Sequence, residues 1–209
     1  MRLLAIAVVA AAAGCSLSPV YYPTLSEHAV SLKAGDLEKS GLAFVTPSTV
    51  TGQEQEKQTV AMTFADVLGK ERASLKIVTL PETLSAVNRA GLADAYRRMY
   101  EDYRDTALLP ADVLRRVGAA TGARYIAQLK LQGFGQSSKS RFGILGLRII
   151  DTQIGDSRVY LQIWDSADGS IVWEGMQELR IAVETTSEQP IMLRALLERA
   201  ARDLIAKVP

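Results

Sequence analysis

The sequence is short of the residues from which most catalytic and metal sites are built. It holds one cysteine and one histidine in 209 residues. A single cysteine excludes an intrachain disulfide. A single histidine without further cysteines or clustered carboxylates cannot make a zinc site. Neither sign of charge is in excess: 24 Lys and Arg stand against 23 Asp and Glu, a formal net charge of +1. Nucleic-acid recognition usually demands a basic stripe, and none is present, so no nucleic acid is expected as a partner. No apolar run approaches the roughly 20 residues that a helix needs to cross a bilayer.

What is present begins at the amino terminus. Met1-Arg2 is followed by Leu3 to Ala13 without a polar residue, then by Gly14-Cys15. A positive charge, a short apolar run and small residues before a cleavage point read as a secretory signal over residues 1–14. The lone cysteine stands directly after Ala12-Ala13-Gly14, which resembles a bacterial lipobox with Ala12 where Leu is commoner. Small side chains let a peptidase reach the backbone, and the thiol is the soft nucleophile that accepts a diacylglycerol. Several acyl chains, each buried methylene contributing about 0.8 kcal/mol, anchor a protein where one chain binds only marginally. The expected membrane attachment is therefore a lipid on Cys15.

Removal of the signal leaves 195 residues, enough for one domain and a tether. Residues 15–40 have weak periodicity and contain Pro19, Pro23 and Gly35, and read as the lipidated Cys and a flexible tether with a reach of about 30 Å. Tyr21-Tyr22 within it can lie at the lipid interface or dock on the domain; His28 falls here too.

Residues 41–209 read as a single α/β domain. Gly41 to Thr46 is a buried strand, Glu54 to Leu68 a helix with Val60, Phe64, Val67 and Leu68 on one face, and Leu75 to Leu80 a second strand. Pro81 opens a helix with Leu84 and Val87 inward. Leu92 to Tyr103 is amphipathic, with Leu92, Tyr96, Met99, Tyr100 and Tyr103 on one face and Arg97, Arg98, Glu101 and Asp102 behind. Those tyrosines can pack on the core or, with Arg97, form a partner-facing surface, since Tyr and Arg are favoured at interfaces. Pro110 to Ala120 is a further helix stopped by Gly122. Tyr125 to Leu131 alternates as a half-exposed strand; Gly133 to Gly146, with Lys139 and Arg141, reads as a loop or loose hairpin. Leu147 to Ile154, Val159 to Trp164 and Ile171 to Val183 continue as strands, with turns at Gly155-Asp156 and Asp168-Gly169. Pro190 starts a last helix with Leu193, Leu196, Leu197, Ala200 and Leu204 on one stripe. The expected architecture is a mixed β-sheet covered by helices: an early β-α-β part, then an antiparallel meander and a carboxy-terminal helix.

No catalytic constellation stands out. Gly133-Phe-Gly135-Gln-Ser-Ser-Lys139-Ser140 lacks the glycine before the lysine that a P-loop requires, and a strand follows where a helix should. A Ser-His-Asp triad has no base outside the tether. Of Asp151, Asp156, Asp165 and Asp168, three fall at expected turns, where Asp is common anyway. No metal or cofactor is expected.

Three stretches carry a resemblance: Gly122-Ala-Arg-Tyr125-Ile126, Val159-Tyr-Leu-Gln-Ile-Trp-Asp165 and Gly169-Ser-Ile-Val-Trp-Glu174. A Gly-Ala-x-Tyr start to a strand, a strand ending in Asp, a turn and Gly-x-Ile-Val-Trp-Glu resemble the curli-secretion CsgG-like lipoprotein superfamily, whose relatives include the activator lipoprotein LpoB and the TolB amino-terminal domain. In physical terms Trp164 and Trp173 flank the turn and are placed to form a cross-strand pair. The resemblance implies a periplasmic lipoprotein that works by protein–protein contact and not by catalysis. It leaves three roles open: an accessory or assembly subunit of an envelope complex, a subunit of an oligomeric secretion-type ring, and an activator of cell-wall synthesis. Lys139, Arg141 and Arg148 suit a lipid-facing strand poorly, against a self-made pore. Ser16 after the cysteine resembles the outer-membrane sorting pattern of enteric bacteria. The expected contact surfaces are Tyr96, Arg97, Tyr100 and Tyr103 on the helix and Lys139 and Arg141 on the loop.

Overall fold

The computed structural model describes residues 18–144, 147–185 and 190–209. The signal segment and Cys15 lie outside them.

Why the chain folds as it does is clearest at its centre. Leu42-Ala43-Phe44-Val45 is apolar at every position because the strand it forms is covered on both faces. This strand, β2 (Leu42–Phe44), follows β1 (Val20–Ala29) and a short helix, α1 (Asp36–Ser40). It pairs in parallel with β4 (Ile77–Val78) on one side and with β5 (Tyr125–Ile144) on the other. A two-residue strand, β3 (Ser48–Thr49), also runs parallel to β5. Then β6 (Leu147–Asp165) and β7 (Ile171–Thr185) add antiparallel neighbours, and β1 closes the row against β7. Among the described residues the sheet has seven strands, six of them in the order β1-β7-β6-β5-β2-β4 with β3 off this row beside β5, and it is open at both ends. The mixed α/β architecture is as expected from the sequence.

Helices cover the two faces unequally. On one side α2 (Glu54–Glu71) and α6 (Leu193–Ile205) bury Phe64, Leu68, Leu197 and Leu204 against Phe44, Leu129, Leu161 and Trp173. On the other, α3 (Leu80–Arg89), α4 (Ala93–Thr106) and α5 (Ala111–Thr121) bury Val87, Met99 and Leu114 against Ala43, Ile126 and Trp164. The three helices of the second group precede β5 in the chain and cover only the end of the sheet nearest β2. No helix follows them on that face among the described residues.

Several expectations need correction. The stretch read as tether is part of the fold: residues 20–29 pair along their whole length with β7, Val20 with Ala182 through Ala29 with Trp173. The carbonyl of Val172, the extra residue at a bulge in β7, accepts the N–H groups of Val30, Ser31 and Leu32 at 3.0–3.2 Å. Leu32 and Leu37 enter the core beyond it. An edge strand with little burial on either face needs no hydrophobic alternation, and Pro23 is tolerated there because an outward position has no ladder bond to donate. The segment from Gly133 onward is not a loop, because β5 and β6 stay paired from Gly133↔Arg158 to Ile144↔Leu147, with register irregularities only between Ser140 and Gly143. Backbone ladder bonds hold a strand of Gly and Ser as they hold one of Val. Gly155-Asp156 is accordingly mid-strand, not a turn; Gly155 lies under α6, where a Cβ would stand 3.1 Å from Ile191 and Leu196. Leu84 is 39% exposed, and α3 instead buries Leu80, Thr83, Ala86 and Val87. Trp164 and Trp173 do not pair: Trp173 stands opposite Ile163, so the indoles point into the cores on opposite faces of the sheet.

Candidate functional site

The tyrosines of α4 are mostly spent on the fold. Tyr96 is buried, accepting the Thr46 N–H at 2.8 Å, with the Thr46 hydroxyl 2.9 Å away. Burial pushes its phenol pKa up. Tyr103 is buried and donates to Gln162 Oε1 at 3.1 Å; burial, with a smaller effect of the Glu174 charge, pushes its pKa up to about 12. Half-buried Tyr100 donates to the Pro47 carbonyl at 3.2 Å, and the Lys57 ammonium lies 5.2 Å from the centre of its ring. Arg97 is exposed and pairs with Glu101 one turn on. The expected aromatic contact surface is therefore corrected for Tyr96 and Tyr103, which reach inward because the i, i+3, i+7 stripe is what α4 presents to the sheet. Lys139 is exposed on β5, and Arg141 holds a β5 position two residues further along; neither lies near α4.

The surface left free is the sheet itself. Beyond α3–α5, one face of β5, β6, β7 and β1 carries no helix among the described residues. Strand alternation places Lys130 on β5, Asp156, Arg158, Tyr160 and Gln162 on β6, Glu174, Met176, Glu178 and Arg180 on β7, and Tyr22, Thr24, Ser26 and His28 on β1. The register stacks them in rows across the strands: Gly135, Asp156, Arg180 and Tyr22; then Arg158, Glu178 and Thr24; then Lys130, Tyr160, Met176 and Ser26; then Gln162, Glu174 and His28.

This face has shape as well as charge. A groove of about 550 Å³ is lined by Tyr22, Gln132, Asp156, Arg158, Glu178 and Arg180. A second of about 250 Å³ lies beside it between His28, Tyr160, Glu174 and Met176. The bulge at Leu131/Gly133 bends β5 away at the groove edge. Gly135 leaves room for the Asp156 carboxylate, which would sit 2.8 Å from a Cβ there. Arg158 and Glu178 form an ion pair across β6 and β7. At the helix-covered end Gln162 bonds Glu174 at 3.2 Å while receiving the Tyr103 hydroxyl, so the α4 layer fixes the floor of the smaller groove. Acidic and basic groups alternate over the face, a pattern that matches a protein surface of mixed charge better than a polyanion. Sequence reading missed this face because it broke β6 at Gly155-Asp156. The signal was there: Thr152, Ile154, Asp156, Arg158, Tyr160 and Gln162 alternate with Gln153, Gly155, Ser157, Val159, Leu161 and Ile163 without interruption.

No family model matches the sequence, and neither does any curated protein. Solved structures do. A PelC dodecamer from Paraburkholderia phytofirmans is 15% identical with a TM-score of 0.45, over 90% of this chain and 94% of that one. Lipoprotein GNA1162 from Neisseria meningitidis is 14% identical with a TM-score of 0.38, over 80% of this chain and 98% of that one. The LpoB carboxy-terminal domain from Salmonella enterica is 13% identical with a TM-score of 0.38, over 66% of this chain and 82% of that one.

Proposed function

We propose that the protein is a lipid-anchored envelope protein, attached to the periplasmic face of the outer membrane through Cys15, and that it serves as a non-catalytic accessory or assembly subunit of an envelope complex. The observation that carries this reading is the lone cysteine after an apolar leader and Ala-Ala-Gly, a few residues ahead of a folded domain. Among the described residues no helix is long and apolar enough to cross a membrane, so the lipid supplies the attachment. The open face of β5–β6–β7–β1 is the contact surface: grooved, of mixed charge, and with Tyr160 as an aromatic anchor of the kind that dominates binding energy.

The test is in-cell photo-crosslinking from position 160 on the open face and from position 97 on α4. A discrete heavier adduct from Tyr160 but not from Arg97 is the expected result. An adduct from Arg97 alone would return the contact to the helix, and labelling of the protein by palmitate must accompany either. A secretion-type ring is the second reading, favoured by the two free sheet edges, β1 and β4, which permit head-to-tail contact between copies.

A further inference from the structure

The distance between the lipid site and the first strand is short. From Cys15 to Val20 the chain advances five residues, a reach of at most about 17 Å when fully extended. The strand that begins there is bonded to β7 from its first residue, so the leash ends at Val20 and not at residue 40. The domain therefore cannot roam, and one particular end of the sheet must face the bilayer.

That end has a distinct surface. Of the large apolar side chains left exposed, Val20 (50%), Tyr21 (39%) and Tyr22 (58%) lie at the start of β1, and Met192 (66%) lies just before α6. Met192 belongs to the same end: the neighbouring Ile191 carbonyl accepts from Gln136, whose β5 position shares a row with Gly155, Ile181 and Tyr21. Basic groups stand among them. The Arg199 guanidinium lies 4.9 Å from the centre of the Tyr21 ring, and exposed Arg180 is the register partner of Tyr22. Tyrosine at a membrane–water boundary with arginine beside it is the arrangement that anchors proteins at headgroup level. The backbone adds a geometric reason. The β5–β6 ladder continues past the row of Val20, Ala182 and Ile154 for seven more residues of β6, to Leu147, on the same side as the leash. At about 3.3 Å per residue this overhang is about 23 Å, longer than the leash itself, so the sheet meets the surface with the arm lying along it and not pointing into it.

From these observations we infer that the β1 end of the sheet docks on the lipid surface, with Val20, Tyr21 and Tyr22 at headgroup level and Arg180 toward lipid phosphates. The domain is then held in a fixed orientation and not swung on a tether. This inference rests on lipidation of Cys15, and the experiment separates the two. The full lipoprotein is extracted in mild detergent, its mass measured, and the protein reconstituted into vesicles of phosphatidylethanolamine and phosphatidylglycerol. Once Cys15 is acylated, a cysteine introduced as Tyr22→Cys or Leu108→Cys carries the one free thiol and takes a spin label. Leu108 is 62% exposed and precedes Ala111 by three residues, and Ala111 lies against Gly169 in the β6–β7 turn, at the opposite end of the sheet. The expected result is a label at position 22 that is shielded from a water-soluble relaxation agent and open to oxygen, with the reverse at position 108. Equal exposure of both labels to the aqueous agent in an acylated protein overturns the docking and leaves the anchor standing. A mass without acyl chains overturns both.

Discussion

At Tyr103 a single hydroxyl joins the helix layer to the exposed sheet face. It donates to Gln162, which in turn bonds Glu174 in the floor of the smaller groove. Tyr103→Phe removes the donor and leaves a half-buried amide oxygen without its partner, so unfolding in urea at pH 7 should show a loss of about 1 kcal/mol. The pH dependence follows from the same site. The phenol pKa is raised from 10.0 to about 12 in the folded protein, so folding favours the protonated form. Its contribution is complete below pH 10 and is lost as pH rises toward 12. The variant should show a shallower loss of stability across that window, with Tyr96, raised in the same direction, supplying part of what remains. An unchanged slope would falsify the role given to burial. A stripe of tyrosines was legible in the sequence; which of them face inward was not. Periodicity places residues on one face of a helix without saying whether that face meets a core or a partner.

Among the elements, β1 and the β5–β6 arm show where pattern reading stops. Strands such as β2 and the first half of β5 were legible because burial on a face imposes an apolar signature. β1 has one half-buried residue, Leu25, and is specified by the unpaired edge of β7 and not by its own side chains. The arm is polar and rich in Gly and Ser, yet each of its strands has a partner. Both features are invisible to composition, because a ladder is a property of two segments. The open face was lost with them, since its rows exist only when β6 runs unbroken and β1 is in place. Amide hydrogen exchange checks this. Alternate residues of Val20–Ala29, those whose N–H groups point at β7, should exchange at least tenfold more slowly than free peptide. Free-peptide rates throughout would restore the tether.

At the scale of the whole molecule, the sheet leaves two edges free among the described residues, and they are unequal. β4 offers two residues and β1 offers ten, interrupted by Pro23. A proline on an edge blunts strand addition by another chain. The native mass of the protein in mild detergent, less the micelle, should therefore be that of a single subunit and not a multiple of it. A discrete multiple of that mass would turn the argument to the ring and make the open face a surface between copies. A monomer directs the search to a different protein on that face.

The pairing of Val20 with Ala182 also sets an order of events. The first strand of the sequence is the last that can be completed, because its partner is made some 160 residues later. Until then β1 has nothing to bond, and strand pairings so distant in sequence form slowly. During synthesis this chain therefore passes through a stage in which β1 is already made and unattached while the edge it will cover does not yet exist. A protein built this way depends on being shielded while it waits, and its vulnerable period is its own synthesis and not its working life.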